Sequence, residues 1–357
     1  MPDETLPGQN AKARSYPLNA WYMAAWADEV TEKPLGRKLL DRKVVLFRGQ
    51  SGEAAALADM CPHRFAPLSL GRVNADTLSC PYHGLEFDRT GVCVRNPGGN
   101  GHFPPGTQVR SFPLIERHRI LWIWMGDAAS ADPDAIPDLD QVPPAGKGAQ
   151  NLGNHMVVRA NYLIEIDNIM DLTHVSFLHD GSLGNATMRA GEIRTRDEGA
   201  GIRSDLWMPG TVVSFGEREG LLSDQWLDVL WMPPATMTLE FGGVAPGEKR
   251  HQDPHGIAFH IFTPETEETT HYFFGSSCAY PEDEAWKAEI VRSAQIEVFQ
   301  REDNPIVETI QQNMAGSDFW SMRPAILPSD VAAIRVRRRL EQMVRKEMGE
   351  AAPFPHA

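Results

Sequence analysis

Four side chains constrain the first third of this chain more than anything else in it. They are Cys61 and His63 of Cys61-Pro62-His63, and Cys80 and His83 of Cys80-Pro81-Tyr82-His83, with sixteen residues between the two motifs. Thiolate and imidazole are metal ligands, so the pattern predicts two loops that fold side by side around one centre. Proline after each Cys stiffens its loop and removes an N–H donor, while Gly71 and Gly84 permit tight turns. Around the motifs, residues 17–127 hold short apolar runs separated by turn residues, among them Lys43–Arg48 and Ile120–Met125. That is the pattern of a small, mostly antiparallel β domain. A Cys₂His₂ set serves structural zinc. The matched order, Cys before His in each loop, favours a [2Fe–2S] cluster with two Cys on one iron and two His on the other. Cys93 and Cys278 lie outside the pattern and read as packing thiols.

With 357 residues, 42% hydrophobic and 23% charged, the chain suits two soluble globular domains. Four Cys in that length are no disulfide framework. The net charge of -14 argues against nucleic acid and anionic membrane, whose phosphates are met by Lys and Arg. The opening Met-Pro-Asp-Glu-Thr has neither the basic nor the apolar region of a signal peptide, and no apolar run approaches the ~20 residues of a membrane helix. A cytoplasmic location without membrane association is therefore expected. The stretch Asp127–Gln150, rich in Asp, Ala and Pro, reads as a linker. It divides the chain into an N-terminal domain with linker, 1–145, and a second domain, 146–357.

The second domain is organised around Asp167–His179, where two His and two Asp sit among Ile, Leu, Met, Val and Phe. Polar groups in such surroundings need partners, and a metal ion would provide one. On a helix, Asn168, Asp171 and His174 share a face. His179 falls roughly 140° away at ~3.6 residues per turn, so one ion takes both His only where the helix loosens or stops between them. Gly181 is a natural place for such an end. Satisfied core histidines are the plainer alternative. Downstream, Thr211–Phe215, Trp226–Trp231, Thr236–Phe241, Ile257–Phe262 and His271–Gly275 read as strands, followed by a helix from about Asp283 to Met314. In that helix Pro305 should kink or break the run around Arg301, which is one way to turn Glu302 or Asp303 inward. A final amphipathic helix, Val331–Met348, begins at Ser329 or Asp330. Its Arg335, Arg337, Arg338, Arg339, Arg345 and Lys346 form a basic patch, either a solvated face or a docking surface.

In CPHRFAPLSLG, CPYHGLEFD and the His-rich segment, the chain resembles the Rieske non-haem iron oxygenases. Among them it is similar to the short oxygenases related to vanillate O-demethylase and dicamba monooxygenase. TPETEETTHYFFGSS (Thr263–Ser277), the Asp303 region and Arg323-Pro324-Ala325 extend the likeness over nearly the whole length. The resemblance implies an α+β chain in which an N-terminal antiparallel β Rieske domain precedes a helix-grip catalytic domain with a central antiparallel sheet. It implies a Rieske [2Fe–2S] cluster at Cys61, His63, Cys80 and His83, and a mononuclear Fe(II) on His174, His179 and Asp303, with O₂ as co-substrate. Asn168 would stand near that iron. Asp171 would bridge, orienting His174 and reaching a cluster His, taken as His83, of the adjacent subunit in a head-to-tail homotrimer. The implied activity is oxidation of an aromatic substrate, foremost O- or N-dealkylation releasing an aldehyde, with ring or methyl hydroxylation as the alternative. A bare Rieske electron carrier is the non-enzymatic alternative. No flavin or nicotinamide fingerprint is visible, so a separate ferredoxin, NAD(P)H-dependent reductase or both must supply electrons. For the substrate, His260 is expected to hydrogen-bond a carboxylate or phenol. Glu240 lies where relatives would carry an amide, so its acid is expected to disfavour a carboxylate. Phe241, Met237 and Trp286 are expected pocket walls.

Overall fold

Short apolar runs in the first 130 residues pair into three small antiparallel sheets, as their alternation predicts. In this computed structural model, which describes residues 14–139, 149–214, 219–250, 256–278 and 293–349, the first sheet joins β1 (Trp21–Trp26), β10 (Ile120–Trp124) and β9 (Leu114–Arg117). The second joins β2 (Leu35–Leu39), β3 (Arg42–Arg48) and β4 (Ala54–Ala58). The third joins β5 (Arg72–Asn74), β6 (Thr77–Ser79), β7 (Glu86–Phe87) and β8 (Cys93–Arg95). The first Cys/His motif lies in the loop that leads into the third sheet, and the second in the loop that joins β6 to β7 within it. The expected boundary between 145 and 146 lies outside the described residues.

The second half builds one seven-stranded antiparallel sheet. Its strands are β11 (Ala149–Val158), β12 (Glu192–Glu198), β13 (Gly201–Val212), β14 (Leu222–Met232), β15 (Thr236–Val244), β16 (Gly256–Pro264) and β17 (Thr270–Cys278), in spatial order β11-β17-β16-β15-β14-β13-β12. Strands alternate their side chains, so each face has its own set. One face presents Met237, His260, Phe262, Tyr272 and Phe274 to the helices α1 (Tyr162–Met170), α2 (Asn304–Met314) and α3 (Val331–Glu347). The other presents Phe259, Ile261 and Phe273, which pack with Trp21, Met23, Trp26 and Trp122 of the N-terminal domain. The inner strand β16 is buried along its whole length, whereas edge strand β12 is mostly exposed. The expected strands are present as far as they are described; Phe215 and Trp286 lie outside the described residues. Among the described residues no helix is long and apolar enough to cross a membrane.

An imidazole pair, His271 buried and His155 half-buried, joins the large sheet to the N-terminal domain. His155 Nε2 lies 3.0 Å from His271 Nδ1, and His271 Nε2 donates to the carbonyl of Lys38 at 2.9 Å. Burial, with Arg37 and His271 beside it, pushes His155 down from 6.5 to about 4. A pKa depressed in the fold means that the unfolded chain takes up the proton first as pH falls. This contribution to stability is therefore complete above pH 6.5 and lost between there and about pH 4, amounting to ~3 kcal/mol at most. His155→Gln keeps a hydrogen-bonding group that does not titrate. Its urea midpoint should fall less steeply than the wild type's between pH 7.5 and 5, and parallel curves would remove His155 as the cause.

Half of the basic patch expected on the last helix is engaged by partners within the chain. Arg337 forms a forked ion pair with Asp167 at 2.6–3.0 Å and stacks over Phe319 at 4.0 Å. Arg339 donates to the Ala200 carbonyl and Arg345 pairs with Glu341. Arg335, Arg338 and Lys346 remain exposed.

Candidate metal centres

The two Cys/His loops are built alike. Phe65 N–H bonds back to the Cys61 carbonyl at 2.9 Å and Gly84 N–H to that of Cys80 at 3.1 Å; Cys61 and Cys80 N–H bond forward to Ala66 and Leu85 at 2.9 and 2.8 Å. The fourth residue after each Cys is left-handed, at φ 59° for Phe65 and 75° for Gly84. Glycine accepts that conformation freely and phenylalanine does not. Gly71 serves close approach, since a Cβ there would lie 2.0 Å from the Ser79 carbonyl.

The result is a tip with an inside and an outside. Cys61 and Cys80 are buried, whereas His63 and His83 are exposed, with ring centroids 4.6 Å apart. Burial raises the Cys61 thiol to about 11, and hydrogen bonding with Cys80 contributes. Backbone N–H groups of His63 and Arg64 point at the Cys61 sulfur. Two sheltered thiols with amide donors, capped by two solvent-facing imidazoles, fit a cluster whose thiolate iron is inside and whose imidazole iron is outside.

The second centre forms where α1 ends, earlier than expected. Asp171 leaves the helical region at φ -118°, ψ 85°, and its carboxylate caps a 3₁₀ turn over Leu172–Ser176 by accepting from Thr173 N–H at 3.0 Å and Oγ1 at 2.6 Å. Such capping competes with helix continuation, which is why Asp favours this position. Asn168, Asp171 and His174 therefore do not share one helix face, and Gly181 is not what stops the helix. A second correction concerns His174, whose Nδ1 bonds the backbone carbonyl of Asp171 at 2.7 Å rather than its carboxylate.

Pro305 does not break its helix. The chain passes it by widening into a π turn over Phe299–Asp303 before α2, since proline offers no N–H to the carbonyl four residues back. Asp303 then meets both histidines. Its Oδ1 lies 3.3 Å from His179 Nε2, 3.8 Å from His174 Nε2 and 3.0 Å from Asn168 Nδ2. The three candidate ligand atoms all fall within 4.8 Å of one another. Asp303 Oδ2 is buried with no hydrogen-bond partner. Such an oxygen is costly, and a divalent ion would satisfy it. Burial lowers the His174 pKa, which favours the neutral imidazole that binds metal. At His179 burial also pulls downward, but Asp303 and Glu302 outweigh it and the pKa rises.

His260 is buried opposite this site. Its Nδ1 lies 2.6 Å from Tyr272 Oη, its ring 5.9 Å from Phe299, and its Nε2 has no partner. Burial holds it near pKa 4, hence neutral, and raises the Tyr272 phenol well above its usual range. Met237 pairs with His260 across the sheet and shares its face. Glu240 does not: three residues along β15 it projects to the other face, where both oxygens bind Arg203 at 3.1 Å. The expectation that Glu240 meets the substrate, and would repel a carboxylate, is thereby corrected. Tyr272 and Glu165 escaped the sequence reading. Glu165 is buried without a partner for Oε1, and burial, with Asp303 and Glu308 nearby, raises it to about 8. A charged residue inside the apolar Tyr162–Met170 run was the available signal.

Residues 20–113 match the Rieske [2Fe–2S] domain, and residues 158–346 match the vanillate O-demethylase oxygenase C-terminal domain. The dicamba O-demethylase oxygenase component of Stenotrophomonas maltophilia is 42% identical, over 92% of this chain and 98% of that one. The chloroacetanilide N-alkylformylase oxygenase component of Rhizorhabdus wittichii is 38% identical, over 92% and 96%. The crystal structure of dicamba monooxygenase bound to 3,6-dichlorosalicylic acid superposes with a TM-score of 0.88 at 39% identity, covering 95% of this chain and 100% of that one.

Proposed function

Since this chain belongs to the Rieske non-haem iron oxygenases with a vanillate O-demethylase-type catalytic domain, we propose that it removes an O- or N-alkyl group from an aromatic substrate. For a methyl ether, the substrate, O₂, two electrons and two protons give the phenol, formaldehyde and water. The observation that carries the reading is the convergence of His174, His179 and Asp303, whose ligand atoms lie within 4.8 Å of one another, together with the second carboxylate oxygen of Asp303, Oδ2, buried without a partner. When bound, the [2Fe–2S] cluster relays single electrons and the mononuclear Fe(II) binds and activates O₂. Cys61, Cys80, His63 and His83 would hold the first, and His174, His179 and Asp303 the second.

The chain's own part is to bind, orient and connect. Asn168 holds Asp303 through its amide. Tyr272 stays protonated and donates to His260 Nδ1, so His260 offers an N–H at Nε2 to an acceptor oxygen on the substrate. With Glu240 on the far face, a carboxylate or phenolate is acceptable there.

We further infer a head-to-tail trimer in the cytoplasm, served by a ferredoxin and a separate reductase. Exposed Phe65, Leu70 and Tyr82 around the cluster tip, at 71%, 73% and 65% exposure, form an apolar rim suited to a neighbouring subunit. In that arrangement Asp171 links the partner's His83 to the iron.

With a surrogate reductase and a panel of methoxylated and N-methylated aromatics, formaldehyde should appear in step with dealkylated product. Hydroxylated product without aldehyde from any substrate would favour ring or methyl hydroxylation instead.

A further inference from the structure

We infer that Glu302 is a positioning residue for the mononuclear site: it holds His179, fixes its tautomer and adds negative charge behind the ligand. This rests on the reading of His174, His179 and Asp303 as an iron site. Glu302 Oε2 lies 2.7 Å from His179 Nδ1, and Ser182 Oγ lies 2.8 Å from the same oxygen and 3.1 Å from the His179 carbonyl. The ring, 3% exposed, is thus closed on one side by Glu302 and met on the other by Asp303, whose Oδ1 is 3.3 Å from Nε2. Consecutive side chains on an α-helix diverge by about 100°. Here the two adjacent acids, both carried at the π turn over Phe299–Asp303, reach opposite nitrogens of one imidazole. With Nδ1–H donating to Glu302, Nε2 keeps its lone pair for metal.

The two histidines are therefore supported unequally. His174 donates to a neutral backbone carbonyl, whereas His179 donates to a carboxylate. A carboxylate behind a metal-bound imidazole makes it a stronger donor, and losing such a partner typically weakens metal binding by about 10–100-fold. His179 is on this account the ligand whose strength a side chain controls, and Glu302 is that side chain.

The test uses the full-length protein with its cluster in place, comparing Glu302→Gln, which keeps an acceptor but no charge, with Glu302→Ala. Fe(II) dissociation constants for the mononuclear site are measured by competition with a chromogenic chelator, and cluster content by the reduced-state electron paramagnetic resonance signal. We expect unchanged cluster signals, a rise of about 10-fold for Gln and up to about 100-fold for Ala, and full iron recovery by Ala only at raised Fe(II). Wild-type affinity in both variants overturns the role of Glu302. Wild-type protein that binds no Fe(II) beyond its cluster overturns the iron site itself, and the role of Glu302 with it.

Discussion

Replacing His174 by alanine should give a folded protein that keeps its reduced Rieske signal, holds one iron fewer per chain and loses turnover by at least ~1000-fold, as when one member of a unit is removed. His174 sits on a single 3₁₀ turn and its side chain is 22% exposed, so its loss opens no large core cavity. What remains is His179 and Asp303, two ligands where three define the open facial site. Among the described residues no hydrogen bond or ion pair within the chain joins the cluster loops to these residues, so the cluster spectrum serves as an internal control. Iron analysis together with electron paramagnetic resonance on the same sample checks the result, and a loss of both centres would contradict the separation of the sites. Asp303→Ala should behave alike; full activity in that variant would assign the carboxylate ligand elsewhere.

Asp171→Asn should keep both metal centres and the oligomeric state, yet slow electron transfer from cluster to iron by ~100-fold. The structure makes this substitution cleaner than the sequence suggested. Oδ1 of Asp171 caps the 3₁₀ turn through Thr173, a role that the Asn amide oxygen fills equally well. His174 is oriented by the Asp171 backbone carbonyl, which the substitution leaves in place. Only the second oxygen changes, from a charged acceptor to an N–H₂ donor. In the proposed trimer that oxygen receives the N–H of His83 of the partner subunit, and an amide donor there opposes another donor. Single-turnover kinetics on pre-reduced enzyme with substrate and O₂ would read cluster reoxidation directly. Reoxidation at the wild-type rate, or loss of iron instead, would remove the bridging role.

The cluster loops were legible because their determinants are local. Ligand spacing, the prolines and the turn at Gly84 act within a few residues, and Phe65 shows the same turn imposed where no glycine announced it. The strands of the large sheet were legible for the same reason, through alternation within each. His174 and His179 could be picked from one short segment, but whether they faced one point depended on where α1 ended. That end was decided by Asp171, whose carboxylate satisfies a backbone N–H locally and so is spent on the turn rather than on His174. The resemblance pointed to Asp303, and only the tertiary structure shows that it and Glu302, both carried at the π turn before Pro305, reach His179. Glu240 and His260 lie on neighbouring strands, and strand periodicity alone cannot say which face each occupies, because a one-residue change of register exchanges the faces. Arg337 read as part of a basic surface until Asp167, from a distant helix, took up its charge. Ligand types, local turns and the alternation of the strands act over a few bonds and so follow from neighbouring residues alone. Register, the meeting of distant acids and bases, and the direction of each buried polar group were decided by tertiary packing, because burial obliges each such group to find its partner wherever the fold brings one.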